Sequence, residues 1–288
     1  VFRDQFERVL PASSVANLYP FNYSGKTDPR GFYVGRDKFG SNILVDFNQR
    51  ADDKTNGSIL ILGNSGQGKS YLLKLILCNL REAGLNVICL DPEMEYEDLT
   101  NNLGGCFIDL MGGRFLINPL EPKVWDEGEG LEDPDAPETF RIRSRLSQHI
   151  SFLKDFFRSY KDFTDREIDV IEIMVQRLYA RCGLTDETDF QMLGSKDYPT
   201  LSELYGLIEA EYKGFDSGER QLYTAELLQN ILLGLHSMCR GPEAKFFNGH
   251  TNITDSSFVT FGVKGVLQAS RNLRDALLFN TLSFMSNR

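Results

Sequence analysis

Eight consecutive residues carry the clearest chemistry in the chain: Gly63-Asn64-Ser65-Gly66-Gln67-Gly68-Lys69-Ser70. They spell G-x-x-x-x-G-K-S with no substitution, the pattern of a phosphate-binding P-loop. Three glycines let the backbone turn tightly and pass close to a polyphosphate. Successive N–H groups then point inward as an anion-binding nest. Lys69 supplies a point charge to the β- and γ-phosphates, and the Ser70 hydroxyl is the candidate ligand for Mg²⁺. The candidate nucleotide-binding set is therefore Gly63, Asn64, Ser65, Gly66, Gln67, Gly68, Lys69 and Ser70, with Tyr71 directly after it.

Such a loop needs a strand before it and a helix after it. The apolar run Ser58-Ile59-Leu60-Ile61-Leu62 reads as the strand. Tyr71-Leu72-Leu73-Lys74-Leu75-Ile76-Leu77 reads as the helix, ending near Gly84, which suits the position just past a helix end. The opening of that helix adds the positive end of its dipole to the loop.

A second set of polar residues follows the next strand, Asn86-Val87-Ile88-Cys89-Leu90, expected to run parallel to the first. It ends in Asp91-Pro92-Glu93-Met94-Glu95-Tyr96. Acidic groups at the carboxyl end of a parallel strand lie where open α/β sheets bind ligands. Asp91, Glu93 or Glu95 would face phosphate, Mg²⁺ or the attacking water; alternatively they cap the short helix that starts at Tyr96.

The chain has 288 residues, 41% of them hydrophobic, enough for one large domain or two modest ones. No apolar run approaches the length that crosses a bilayer. The formal net charge of -10 argues against a whole-surface grip on nucleic acid. The five cysteines form no C-x-x-C pair and fit a reducing cytosol. His149, His236 and His250 lack metal-ligand spacing. The chain opens on Val1 rather than Met and is expected to be a piece of a longer protein.

Around these sets the texture changes twice. Residues 1–30 read as irregular, with Asn17-Leu18-Tyr19-Pro20-Phe21 as an apolar arm, and 31–47 as a β-hairpin. Cys106–Leu110 and Arg114–Pro119 read as short strands. An acidic tract from Glu121 to Glu138 reads as a solvated boundary. Four amphipathic helices follow: Ile142 to Tyr160; a second opened by the capping box Thr164-Asp165-Arg166-Glu167; a third opened by Thr200-Leu201-Ser202-Glu203; a fourth marked by Leu222, Ala225, Leu228, Leu232 and Leu235. A strand at Phe258–Val263 and a helix from Ser270 to Asn287 resume the α/β pattern. The expected division is 1–125 as a P-loop α/β region, 138–245 as an inserted all-α subdomain and 246–288 as the α/β region continued.

The order of these features resembles a known family. Pro20-Phe21, Gly35-Arg36-Asp37, Gly40, the P-loop with Ser70-Tyr71-Leu72-Leu73-Lys74, Asp91 to Tyr96, Ile117-Asn118-Pro119-Leu120 and Val259-Thr260-Phe261 match in sequence the motor domain of VirB-type conjugation ATPases. These are the CagE/TrbE/VirB component family of type IV secretion systems. The resemblance implies a RecA-like three-layer P-loop NTPase domain with an inserted helical subdomain, within the superfamily that includes FtsK and HerA. It implies ATP hydrolysis with Mg²⁺, a hexameric ring, and docking with other secretion components at the cytoplasmic face of the inner membrane. Pilus assembly and transfer of DNA or protein would be the work done. By position, Lys69 and Ser70 carry over as phosphate and Mg²⁺ contacts, and Glu95 as a catalytic carboxylate, with Asp91 beside it. The family's Walker B Asp-Glu pair has no match and is expected beyond Arg288. Arg271 and Arg274 are candidates for an arginine finger, against plain surface solvation. Two rival functions remain: an FtsK/HerA-like translocase acting on duplex DNA, and a nucleotide-gated scaffold with little turnover.

Overall fold

A computed structural model describes residues 11–12, 28, 30–47, 49, 56–122, 145–185, 188–215, 222–253 and 256–286. The apolar arm at 17–21 and most of the acidic tract lie outside the described residues. The chain divides into two compact units, Val1–Val87 and Ile88–Arg288.

The first unit holds the expected hairpin. Strands β1 (Phe32–Arg36) and β2 (Asn42–Val45) pair antiparallel, with an irregularity between Tyr33 and Gly35. Asp37 closes the turn: its Oδ1 accepts from Phe39 N and Ser41 N, the local bonding that makes Asp a turn residue. Helix α1 (Lys69–Glu82) packs against β1. It ends as expected: Gly84 takes φ 81°, Leu85 N donates to Leu80 O and Gly84 N to Arg81 O. That pair of bonds is a Schellman motif, which needs the left-handed residue glycine supplies.

The strand expected at 58–62 does not form. Residues 57–64 have no regular secondary structure, and Leu60 and Leu62 are 81% and 80% exposed. The apolar run carries the composition of a buried strand, but a strand exists only through ladder bonds to neighbours. Among the described residues of this unit, β1 and β2 pair with each other and neither pairs with this run.

The second unit is built on a three-stranded sheet in the order β3 (Val87–Asp91), β5 (Phe258–Gly262), β4 (Cys106–Asp109). β4 and β5 run parallel, with Ile108 opposite Phe261. All five residues of β5 are buried, as a central strand requires. Its one hydroxyl, Thr260, is satisfied by Thr100 Oγ1 at 2.7 Å. Thr100 lies on α2 (Glu97–Asn102), which packs on β4 and β5.

The helical region follows the predicted pattern. Helix α3 spans Arg145–Tyr160, α4 Asp165–Arg181, α5 Leu201–Lys213 and α6 Ala225–Cys239. Thr164 and Glu167 form the reciprocal capping box. At Thr200 the Glu203 side chain reaches back in the same way, but Glu203 N donates to the Thr200 carbonyl. Leu222 lies ahead of α6 and is 90% exposed, so it is not part of that helix's apolar stripe. Short helices α7 (Ala244–Phe247) and α8 (Lys264–Leu267) precede α9 (Arg271–Ser286). The helices and the sheet share one continuous core, in which Ile108 and Phe261 join Phe156, Ile171, Leu204 and Leu235. Phe247 sits edge-on to Phe156 at 5.7 Å, and Phe152 stacks on Phe279 of α9 at 5.2 Å.

The strand expected at Arg114–Pro119 is also absent. One backbone bond remains, from Asn252 N to Leu116 O at 3.2 Å; other backbone groups of the segment are met by side chains. Leu116 N donates to Asn252 Oδ1 at 2.7 Å, Asn118 N to Thr251 Oγ1 at 3.0 Å, and Asn252 Nδ2 to Arg114 O at 2.8 Å. Amide and hydroxyl side chains have taken the place of a ladder.

Candidate nucleotide site

The loop before α1 has the shape its glycines predict. Gly66 and Gly68 take φ 78° and 83°, a region where a side chain costs about 1–2 kcal/mol. Gly68 is the N-cap of α1 and offers no side chain to its first turn, which also lacks acidic residues. The leading N–H groups of the helix are thus left for an outside anion, with no like charge to repel it.

Lys69 closes the loop. Its stem runs past Gly63, whose added Cβ would lie 3.5 Å from Lys69 Cγ. Its Nζ donates to Gly63 O and Asn64 O, each at 2.7 Å. An ammonium has three donors. Two are held by carbonyls, which fixes the charge over the loop, and the third is left for an oxyanion. Ser70 and Tyr71 are exposed in the first turn. This donor set fits a polyphosphate. Mg²⁺ would be held by the Ser70 hydroxyl together with phosphate oxygens, as a hard ion that favours oxygen ligands.

The acidic set stands in the second unit, at the end of β3. Asp91 is fully buried. Its Oδ1 accepts from Met94 N at 2.9 Å and Glu93 N at 3.2 Å, and its Oδ2 from Tyr96 N at 2.9 Å. None of these donors lies in the first turn of α2, whose N-cap residue is Tyr96; the carboxylate holds the turn in front of that helix. Glu93 and Glu95 are exposed, and Tyr96 is buried. Burial, then the charges of Cys89, Asp91 and Glu95, push the Tyr96 phenol above its usual value. Burial and the Asp91 carboxylate push the Cys89 thiol up to about 11.

Sequence reasoning missed Met94. It takes φ 59°, an uncommon conformation for a residue other than glycine, asparagine or aspartate. Methionine gives no signal for it; the Asp91-Pro92 dipeptide, a turn initiator, was the available hint. Asp109, the last residue of β4, accepts from Met111 N at 3.0 Å and serves its own turn. Arg271 and Arg274 both approach Asp275, at 3.5 and 3.1 Å.

A family profile described as "Helicase HerA, central domain" matches residues 50–189. Among solved structures, VirB4 of Thermoanaerobacter pseudethanolicus superposes with a TM-score of 0.75 at 30% identity, over 92% of this chain and 65% of that one. The uncharacterized protein pXO2-09 of Bacillus anthracis is 24% identical over 299 residues, covering 96% of this chain and 44% of that protein. Protein TraC of Escherichia coli strain K12 is 25% identical over 134 residues, or 46% of this chain and 14% of that one. The chain thus spans less than two thirds of the length of these relatives.

Loop, sheet and helices together define the fold class: a P-loop ATPase fold of the VirB4/HerA type. Within that class the chain is similar to VirB4, as its motif order indicated.

Proposed function

We propose that this chain is the ATP-binding and hydrolysing motor region of a type IV secretion or conjugation machine, driving pilus assembly and the transfer of DNA or protein. The observation that carries the reading is the closed P-loop with Lys69 fixed over it, in a chain similar to VirB4 over 92% of its length. Bound ATP would place its β- and γ-phosphates against the free N–H groups of the loop and the remaining Lys69 donor. Ser70 would complete the Mg²⁺ shell. Glu95, exposed and acidic, is the carboxylate proposed to act on the attacking water. A hexameric ring, the neighbouring components at the inner membrane and the division 1–125, 138–245, 246–288 belong to the same reading. Among the described residues no helix is long and apolar enough to cross a membrane.

Replacing Lys69 with Ala in the full-length protein should abolish transfer in cells while leaving its abundance unchanged. Wild-type transfer by that variant would refute the reading. The match to a HerA central domain favours one alternative, a motor acting on duplex DNA. The net charge of -10 weighs against it. Salt-sensitive DNA binding that stimulates hydrolysis would favour the alternative.

A further inference from the structure

Asp91 has been placed among the acidic residues able to act at the reaction centre, and its surroundings give it a different task. Both carboxylate oxygens are engaged by backbone N–H groups of the turn that follows, and the side chain is fully buried. Three of its roughly four acceptor sites are taken by backbone donors, and full burial keeps the carboxylate from bulk water.

The turn itself is held in an unfavourable shape. Met94 at φ 59° stores strain of about 1 kcal/mol or more, which persists only where surroundings over-determine it. Two anchors do so. Asp91 Oδ1 binds Met94 N, and the Met94 side chain seats at Gly262 of β5. A Cβ on Gly262 would lie 3.3 Å from Met94 Cε and 2.8 Å from Phe107 Cζ, so only glycine leaves this seat open. On the other side, Tyr96 is buried and its N–H is bound by Asp91 Oδ2. Glu95 therefore stands between two anchored neighbours with its own side chain exposed.

Capping of α2 alone does not require this arrangement. That helix has six residues, and its N-cap residue Tyr96 gives it no side-chain bond. A strained turn bound at both ends is what a functional carboxylate needs, because an acid that orients water must be held to about 0.5 Å.

We propose that Asp91 is a positioning residue that fixes the Glu95 carboxylate by holding the turn 92–96 in its strained conformation. The proposal rests on the reading in which Glu95 acts on the attacking water. It predicts that Asp91 affects turnover through Glu95, without contacting nucleotide.

The test uses the full-length protein and the variants Asp91→Asn, Met94→Ala and Glu95→Gln, with each of the first two also combined with Glu95→Gln. Steady-state ATP hydrolysis, single-turnover rates for the slow variants, and amide hydrogen exchange over residues 92–97 are measured. Asp91→Asn should speed exchange at 93, 94 and 96 and lower kcat on the order of 10- to 100-fold, with KM for ATP within about twofold. In the Glu95→Gln background it should lower the single-turnover rate no further, because the residue it positions is already disabled. Met94→Ala, which leaves the Asp91 bonds intact, should show the same dependence on Glu95 with a smaller loss. This variant decides the matter if Asp91→Asn does not fold. If exchange loosens while kcat stays at the wild-type value, the positioning role is overturned and Glu95 keeps its own. The positioning role is overturned equally if the loss is as large with Gln at 95. Full turnover by Glu95→Gln would overturn the reading of Glu95, and this proposal with it.

Discussion

The two Thr-Glu helix starts allow a graded prediction. At α4, Thr164 Oγ1 accepts from Glu167 N at 3.3 Å and donates to Glu167 Oε2 at 2.9 Å, while Thr164 N donates to the same oxygen at 2.7 Å. Glu167 is 8% exposed. Thr164→Ala removes the cap, costing about 1 kcal/mol. It also leaves a mostly buried carboxylate one donor short, costing about 1 kcal/mol more. At α5, Glu203 N already donates to the Thr200 carbonyl, and Glu203 is exposed, so water replaces what Thr200→Ala removes. That change should cost about 0.5 kcal/mol. At about 2–4 °C per kcal/mol for a unit of this size, thermal unfolding followed by circular dichroism should fall by about 4–8 °C for Thr164→Ala and about 1–2 °C for Thr200→Ala. Equal shifts, or a larger one for Thr200→Ala, would refute the argument that burial of the glutamate sets the difference.

Cysteine labelling should separate the free thiols. At pH 8, Cys89, pushed up to about 11, and Cys239, pushed up to about 12 by burial, should be at most about one thousandth thiolate and stay unlabelled until the protein unfolds. The exposed Cys182 should react first in a thiol-reagent time course. Glu211 should contribute to acid sensitivity. Its carboxyl is held below the usual range first by the Tyr223 hydroxyl and also by Arg177, against the effect of its burial. A lowered folded value stabilises above the unfolded carboxyl pKa of about 4.3 and is lost as pH falls through the folded value. The difference in melting temperature between wild type and Glu211→Gln should therefore be present at pH 7 and shrink as the pH falls below about 4.3 and through the folded value.

The helices were legible because each carries its own signals. Thr164 and Glu167, Gly84 and the apolar stripes act within one or two turns, and these local bonds formed as expected. The P-loop was legible for the same reason: Gly66, Gly68 and Lys69 interact with their own loop. The failures depend on distant partners. Residues 58–62 have strand composition, but no neighbour among the described residues of their unit supplies a ladder. Arg114–Pro119 meets Thr251 and Asn252, far along the chain, and exchanges strand pairing for side-chain bonds. At Asp91 the sequence left two roles open, and its bonds to the N–H groups of Glu93, Met94 and Tyr96 depend on a turn shape that no residue pattern spells out. The Met94 conformation is set by Asp91 and Gly262, which no local pattern around a methionine reveals.

Whether the loop closed by Lys69 drives ATP hydrolysis is read from steady-state phosphate release by the purified full-length protein with Mg²⁺ and ATP, beside its Lys69→Ala variant. Sustained turnover is expected in the wild type, lowered in the variant to about a hundredth or less, a loss of about 3 kcal/mol of transition-state stabilisation. Equal rates in the two proteins, or nucleotide binding without turnover in the wild type, would contradict that role of the loop.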